Sequence, residues 1–240
     1  MVKPVVLNNV DHKDLRVITS HSPALSEHTM IALALPFEFR QLQHEYPIVF
    51  YKNEHTQTFQ AVVLLGLEQD ENLYLTDQGW DANYIPLMIA RQPFMLGMRE
   101  PDAHGDRQPM LLIDTSSPKV NYEEGERVFL PHGGHSEYLQ KITDILGAIH
   151  ARESETRAFH EAITKYDLLE SFFLDVSLQG NDKHRLSGYY TINEDKLNAL
   201  DDSSIVSLQK TGMLALIYFV LASQENFTNL INRKKAQHHA

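Results

Sequence analysis

Two β-rich apolar runs joined by a short polar segment constrain the fold of this chain more than any other feature. The runs are Ile48 to Tyr51 and Phe59 to Leu67, and the residues between them, KNEHTQT, are all polar. So short a connection predicts a β-hairpin, because parallel strands need a crossover of a dozen or more residues. A third run, Leu73 to Thr76, follows the acidic turn Glu68 to Asn72. Three sequential strands with short turns predict an antiparallel meander.

The spacing of apolar residues becomes helical after Ser136. Ser136 is a candidate N-cap, and the pattern behind it predicts one helix that runs to about Ala162. A second hairpin is predicted from Ser171 to Leu178 and from Arg185 to Ile192. The positions that carry the helical period are Tyr138, Ile142, Ile145, Leu146 and Ile149.

Capping residues bound the helices expected in the C-terminal half. Asn193 is expected to cap a helix through Leu200, and Ser203 or Ser204 to cap the next one. The last helix contains Leu214 to Leu221 and is expected to continue towards Leu230. Because strand patterns come first and helices later, we predict an α+β fold, in which helices from the C-terminal half cover one face of an antiparallel meander sheet in the N-terminal half.

Two prolines bound a short helix predicted between Tyr84 and Gln92. Pro86 suits the first turn, where its missing N–H is not needed, and Pro93 ends the helix. Ile31 to Leu35 fits either a strand or a helical turn. Further short strands are expected at Pro4 to Leu7, Phe94 to Met98, Met110 to Ile113 and Arg127 to Leu130.

The length of 240 residues fits one large domain or two small ones. We predict a single domain over residues 1–235, with a strand-rich part over 1–132 and a helix-rich part over 133–235. Residues 236–240 are expected to form a disordered tail.

Charge and composition exclude several classes of protein. The net charge of −11 argues against a nucleic-acid partner, because phosphate backbones would be repelled. The chain has no cysteine, which excludes disulfides and thiolate nucleophiles. Its start lacks the apolar stretch of a signal peptide, and the most apolar segment, Met213 to Ala222, is shorter than the roughly 20 residues of a membrane span. We therefore expect a soluble, cytoplasmic protein without a transmembrane segment.

Motifs for catalysis or metal binding are missing from the sequence. No HExxH, GxSxG, GxxxxGK[ST] or GxGxxG pattern occurs. His132 and His135 flank two glycines in a loop, and His150 and His160 lie too far apart on the expected helix to meet. The carboxylates of the turn Glu68 to Asn72 are expected to be solvated. We therefore predict no catalytic residue, no metal and no cofactor.

One group of side chains favours a binding role. Trp80 precedes the short helix, and Tyr84 and Arg91 lie at its two ends. These residue types dominate binding hot spots and stack with sugars or cations. We predict Trp80, Tyr84 and Arg91 as a ligand- or partner-binding surface. The structural alternative is that Trp80 and Tyr84 plug the end of the sheet while Arg91 neutralises a neighbouring acid.

Several strings along the chain together form a specific signature. In the N-terminal half they are EYPIVFYKN, FQAVVLLGLEQDENLYL and GWDANYIPLMIARQPF. In the C-terminal half they are FLPHGGHSEYL, YDLLESFFLDVSL, LSGYYTINEDKLNAL and GMLALIYFVLASQENFTNLI. These strings resemble the SapC family of bacterial proteins over roughly residues 5–232.

The resemblance implies a role only in outline. The family is named for its association with bacterial surface-layer (S-layer) loci, and many relatives have genes beside TonB-dependent outer-membrane receptors and flavin-dependent halogenase-like proteins. It differs from the peptide-transporter permease of the same name. The resemblance implies a non-enzymatic accessory or binding protein of bacterial envelope or nutrient-uptake systems, with a protein partner or small ligand. The alternative is an enzyme, or a component of a halogenase-associated modifying system, with an unrecognised active site. The oligomeric state stays open.

Overall fold

The chain alternates between two structural units in a computed structural model, which describes residues 3–25, 27–54, 56–100, 108–177 and 183–237. Unit 1 consists of Met1–Glu27, Asp77–Gly79 and Leu87–Ala151, and unit 2 of His28–Thr76, Trp80–Pro86 and Arg152–Ala240. The single domain over 1–235, divided after residue 132, stays a prediction. Of the predicted tail, residues 236 and 237 end a helix, and residues 238–240 lie outside the described part.

Antiparallel strands lie mostly in the N-terminal half and helices mainly in the C-terminal half, which confirms the α+β fold class. The strands are β1 (Pro4–Val6), β2 (Arg16–Val17), β3 (Ile31–Leu33), β4 (Ile48–Lys52), β5 (Phe59–Leu64), β6 (Leu75–Thr76), β7 (Gly79–Trp80), β8 (Phe94–Met98), β9 (Pro109–Asp114), β10 (Val120–Asn121), β11 (Glu126–Arg127), β12 (Leu169–Ser177) and β13 (Lys183–Ile192). The helices are α1 (Phe39–Leu42), α2 (Leu87–Ala90), α3 (Glu137–Ala151), α4 (Glu153–Lys165), α5 (Glu194–Asn198), α6 (Asp202–Lys210), α7 (Met213–Ala222) and α8 (Asn226–Gln237), with single 3₁₀ turns at Pro23–Leu25, Pro36–Glu38 and Ser223–Glu225.

Two three-stranded sheets and α3 are the main secondary structure in the described part of unit 1. β9 lies between β1 and β8 in one sheet, and β2 lies between β10 and β11 in the other. The hydroxyl of Ser136 accepts a hydrogen bond from the Leu139 N–H at 3.1 Å, which confirms the predicted N-cap of α3. The Tyr138 ring then packs edge-on against Phe94 of β8. The core of this unit comprises Leu15, Val17, Phe94, Ile113, Val128, Phe129, Leu139, Ile142 and Leu146.

A five-stranded antiparallel sheet in the order β12-β13-β4-β5-β3 forms the centre of unit 2. The hairpins β4–β5 and β12–β13 are confirmed, although Leu178 and the turn residues 179–182 lie outside the described part. The third strand of the predicted meander is wrong, because β6 pairs with β7 instead of β5. A strand has only two edges, and β3 takes the second edge of β5, with Ile31 opposite Leu64.

Both faces of β4 are covered. Successive residues of a strand point to opposite faces, and Ile48, Val49 and Phe50 are all fully buried. Coverage of the sheet on one face only is therefore wrong for β4. Phe159 of α4 packs against Phe50, and the Ser223 hydroxyl behind α7 accepts a hydrogen bond from the Ile48 N–H at 2.9 Å.

The single long helix predicted from Ser136 to Ala162 is divided into α3 and α4 at Arg152. The backbone angles of Arg152, φ −106° and ψ 13°, lie outside the helical region. The Arg152 guanidinium lies 5.0 Å from the centroid of the Phe37 ring. This cation–π contact, within unit 2, accompanies the break.

The helix caps agree with the sequence at one position and differ at another. The Asn193 side chain accepts a hydrogen bond from the Lys196 N–H at 2.8 Å, as predicted for α5. α6 is capped by Asp201, whose carboxylate accepts from the Ser204 N–H at 2.8 Å, so the prediction of Ser203 or Ser204 as cap is wrong. Asp and Ser are nearly equal as N-caps, and sequence alone does not rank them.

Among the described residues, no single helix combines the length and apolar character of a membrane span. α6 and the segment Met213–Gln237 meet those criteria only as a pair, and the two are bent by 93° relative to each other.

Candidate functional site

Trp80 and Tyr84 are brought together by Tyr46 within unit 2. The Trp80 indole N–H donates to the Tyr46 hydroxyl at 2.8 Å, and that hydroxyl donates to the backbone carbonyl of Tyr84. The Trp80 ring also stacks on Tyr74, with centroids 6.5 Å apart and an interplanar angle of 16°. We call Tyr46, Tyr74, Trp80 and Tyr84 the aromatic cluster.

Burial keeps the phenols of this cluster protonated. Burial raises the pKa of Tyr46, and burial together with the neighbouring Glu38 carboxylate raises the pKa of Tyr84. The Tyr84 hydroxyl donates to Glu38 Oε2 at 2.8 Å, and Glu38 is only 2% exposed. These polar atoms thus form internal hydrogen bonds. A ligand- or partner-binding role for Trp80 and Tyr84 stays a prediction.

Arg91 belongs to unit 1, unlike Trp80 and Tyr84, and lines a cavity of about 460 Å³ that we call the Arg91 cavity. Its guanidinium donates to the Phe94 carbonyl at 2.6 Å. Burial lowers the pKa of Arg91, and no carboxylate in the described part of the chain forms an ion pair with it. The structural alternative, in which Arg91 neutralises a neighbouring acid, is therefore not met by any described residue. Its role in binding stays a prediction.

A second cavity of unit 1, of about 530 Å³, lies along α3, and we call it the α3 cavity. Its walls are mainly apolar and come from β8, β9, α3 and the segment behind β1. The polar side chains of the lining are Asn8, Asn9, His135, Thr143 and His150. The apolar side chains that line it are Leu7, Leu96, Pro109, Leu111, Phe129 and Leu146.

Gly147 lies beside open space in the α3 cavity. Thr143, Gly147 and His150 recur at helical spacing, so they share one face of α3, and all three line the cavity. A Cβ atom placed on Gly147 would meet nothing within 4 Å. A glycine inside a helix costs about 0.5–1 kcal/mol relative to alanine. Packing therefore does not require this glycine, and its missing side chain leaves space.

His160 lies in a third cavity, of about 720 Å³, in unit 2. The cavity is lined by α4 and the start of β5, including Glu153, Glu161 and Phe59. His160 Nε2 is buried and has no hydrogen-bond partner in the described part, and burial lowers the pKa of His160. The imidazole is therefore held neutral.

His160 predicts a specific pH dependence of stability. Its pKa is lower in the folded protein than the usual value of about 6.5 in the unfolded chain, so acid protonates the unfolded chain first. The stabilising effect of the neutral form is fully present above pH of about 6.5 and is lost as the pH falls below it, by at most about 1.4 kcal/mol per pH unit. Urea denaturation at several pH values should show a shallower decline for His160→Gln than for the wild type. His132→Gln, at an exposed position, should keep the wild-type slope; equal slopes for all three proteins would contradict the assignment.

The turn carboxylates are not all solvated, which corrects the prediction for Glu68 to Asn72. Lys234 Nζ of α8 lies 2.9 Å from Glu68 Oε1 and 2.5 Å from Glu71 Oε1. The other carboxylate oxygen of Glu71 accepts from the Leu67 N–H at 2.8 Å. These carboxylates therefore hold a lysine. No group of three or more metal-ligating side chains occurs among the described residues.

The α3 cavity was missed because its walls come from distant parts of the sequence. The Leu7 N–H donates to the Leu111 carbonyl at 2.9 Å, yet no local pattern pairs them. Gly147 was a sequence signal for this cavity. A glycine inside a helical pattern weakens the helix, and it often marks a position with a packing or functional role.

Comparisons with known proteins give a family and no closer relative. The SapC family model matches residues 7–230 of the 240-residue chain. No curated protein and no solved structure matches the chain significantly. The match spans both units and the cavities described above, and it confirms the resemblance predicted from the signature strings. The chain therefore belongs to the SapC family.

Proposed function

We propose that this protein is a non-enzymatic binding protein that holds a neutral, apolar small molecule in the α3 cavity. The apolar lining of this cavity carries the proposal, and Gly147, where an added Cβ would meet nothing within 4 Å, lies beside the open space. A volume of about 530 Å³ lies in the usual range for small-molecule pockets.

The lining supports this class of ligand. Four leucines and Phe129 offer apolar contact and no formal charge. Polar side chains also line the cavity and can orient a ligand, namely Asn8, Asn9, His135, Thr143 and His150. An apolar body with one hydrogen-bonding group fits this arrangement.

Filling the space above Gly147 tests the proposal. The neutral fluorescent probe N-phenyl-1-naphthylamine is titrated into the wild type, Gly147→Ala and Gly147→Phe. The alanine methyl group fits the open space, so Gly147→Ala should bind the probe like the wild type and unfold at a higher urea concentration. The phenylalanine ring occupies the cavity, so Gly147→Phe should bind at least about tenfold more weakly, a loss of about 1.4 kcal/mol.

Two outcomes would contradict the cavity assignment. One is equal probe affinity in the wild type and in a folded Gly147→Phe protein, with folding checked by circular dichroism. The other is that the wild type does not bind the probe at all. Leu111→Phe gives a second way to fill the cavity, from β9, and should also weaken probe binding.

We also propose a cytoplasmic accessory role in bacterial envelope or nutrient-uptake systems that use TonB-dependent receptors. Membership of the SapC family supports it. Affinity capture of the native protein, followed by mass spectrometry, tests it. Recovery of a halogenase-like flavoprotein would favour the uptake role, and recovery of envelope protein would favour the S-layer association. If neither is enriched over a control capture, the accessory role fails.

A second candidate function is an enzyme or a component of a halogenase-associated modifying system. The cavity of unit 2 favours it, because a half-buried, neutral histidine with a buried Nε2 atom lies there with Glu153 and Glu161. A histidine held neutral at pH 7 suits general-base chemistry. The test uses the captured complex. If it modifies a substrate, and if His160→Gln abolishes that activity while the complex stays intact, the protein is an enzyme component and the proposal of a non-enzymatic binding protein is wrong.

A further inference from the structure

We propose that the Arg91 cavity of unit 1 binds a small monocarboxylate with an apolar body. The inference does not rest on the proposed function, because the α3 cavity and the Arg91 cavity have different linings. Arg91 is the cationic anchor of the site, and the loop that follows β9 forms part of its wall.

The guanidinium of Arg91 has N–H donors that are available to a ligand. One of its N–H groups donates to the Phe94 carbonyl at 2.6 Å, and no carboxylate of the described residues pairs with it. A guanidinium has five N–H donors in a planar fork that matches a carboxylate. A half-buried cation without a counterion is unfavourable, so an anionic ligand would stabilise this side chain. Because the fork is planar, the expected contact has two parallel hydrogen bonds.

The charges that line the cavity favour a ligand with no more than one negative charge. Lys119 also lines the cavity, but its Nζ lies 2.6 Å from Glu27 Oε1, so its charge is already neutralised. Arg91 is thus the cation left for a ligand. Asp114 lines the same cavity and repels a second negative charge. A monocarboxylate is therefore favoured over a phosphate dianion.

The walls have room for an apolar body beside the carboxylate. Leu25, Pro93, Met95 and Pro118 form the apolar part of the lining, and Gln92, Ser116 and Ser117 add polar side chains. A volume of about 460 Å³ exceeds what a carboxylate group alone would fill. An aryl or short alkyl group attached to the carboxylate fits these contacts, and benzoate is the simplest probe of this kind.

Chemical-shift titration of the ¹⁵N-labelled full chain with benzoate tests the site. Benzoate should shift the amide signals of Ser117 and Lys119 in a saturable way. Arg91→Met should weaken binding at least about tenfold, since it removes charge-assisted hydrogen bonds. Arg91→Lys keeps the charge but loses the fork, and should weaken binding by about three- to tenfold. Arg127→Met, an exposed arginine of the same unit, should leave the affinity unchanged.

Two further probes keep the test valid if Arg91→Met does not fold. Methyl benzoate has the same body without the charge, and inorganic phosphate has the charge without the body. Both should bind the wild type at least about tenfold more weakly than benzoate. Benzoate affinity unchanged in Arg91→Lys or in a folded Arg91→Met, methyl benzoate binding as tightly as benzoate, or phosphate binding more tightly would each overturn the assignment. Absence of benzoate-induced shifts in the wild type would also overturn it.

Discussion

Replacing Phe159 with alanine is expected to lower the free energy of unfolding by about 4 kcal/mol. Phe159 of α4 is fully buried in unit 2. Its ring lies edge-on to Phe39, with centroids 5.4 Å apart, and stacks on Phe50 of β4 at 6.3 Å. The substitution removes the transfer energy of the ring, leaves a cavity, and breaks two aromatic contacts, each worth about 0.5–1.5 kcal/mol. Urea denaturation followed by circular dichroism measures the loss.

Two variants on the same helix control this prediction. Phe159→Leu refills most of the volume and should cost about 1–2 kcal/mol. Glu161→Ala lies at an exposed position of α4 and should change the stability by no more than about 0.5 kcal/mol. A loss for Phe159→Ala as small as that for Glu161→Ala would show that α4 does not pack on the sheet as described.

Replacing Lys234 with methionine is expected to cost about 3 kcal/mol, the second-largest effect. Lys234 is only 6% exposed and contacts both Glu68 and Glu71. Burial opposes the charged form, but the hydrogen bonds and charges of Glu71 and Glu68 outweigh it and raise the pKa of Lys234. Methionine has nearly the same length, so the loss reports mainly the two carboxylates left without their cation.

A double variant separates the lost ion pair from lost packing. Lys235 is the exposed neighbour of Lys234, and Lys235→Met should leave the stability almost unchanged. Adding Glu71→Gln to Lys234→Met removes one uncompensated charge and should recover about 1 kcal/mol or more. If the double variant is less stable than Lys234→Met by the full effect of Glu71→Gln, the two side chains act independently and the ion pair contributes nothing.

Local features of the fold were predictable from the sequence. The hairpins β4–β5 and β12–β13 and the cap of α5 by Asn193 depend on residues close together in the chain. The edge partner of β5 was not predictable in the same way. β3 precedes β4 in the chain and pairs with β5 across it, whereas β6 comes directly after β5 and has the same apolar character. Periodicity does not rank such partners.

The break between α3 and α4 shows a different limit. The apolar spacing ends at Ile149, and neither proline nor glycine stands between that residue and Phe159. The break accompanies a contact with Phe37, which is far away in the sequence. Helical periodicity records which side chains are buried and contains no information on whether the axis between them is continuous.

The sequence predicted that Trp80, Tyr84 and Arg91 form one surface, but the structure brings only two of them together. Trp80 and Tyr84 do meet, through Tyr46. Arg91 lies in the other unit and lines a cavity of its own. The three residues were grouped because they are close together in the sequence. The chain passes from unit 2 to unit 1 between Pro86 and Leu87, and the spacing of residues does not indicate such a boundary.

Synthesis on the ribosome completes unit 1 before unit 2. Unit 1 has its last residue at Ala151, whereas unit 2 still needs Arg152–Ala240. During this time β4 lacks β13, its neighbour in the finished sheet, and an open strand edge recruits other chains. At about 5–20 residues per second, the interval from Ala151 to the end of β13 lasts a few seconds. The nascent chain therefore exposes an unpaired strand edge for that time. The yield of folded protein in cells should depend on chaperones that act during translation.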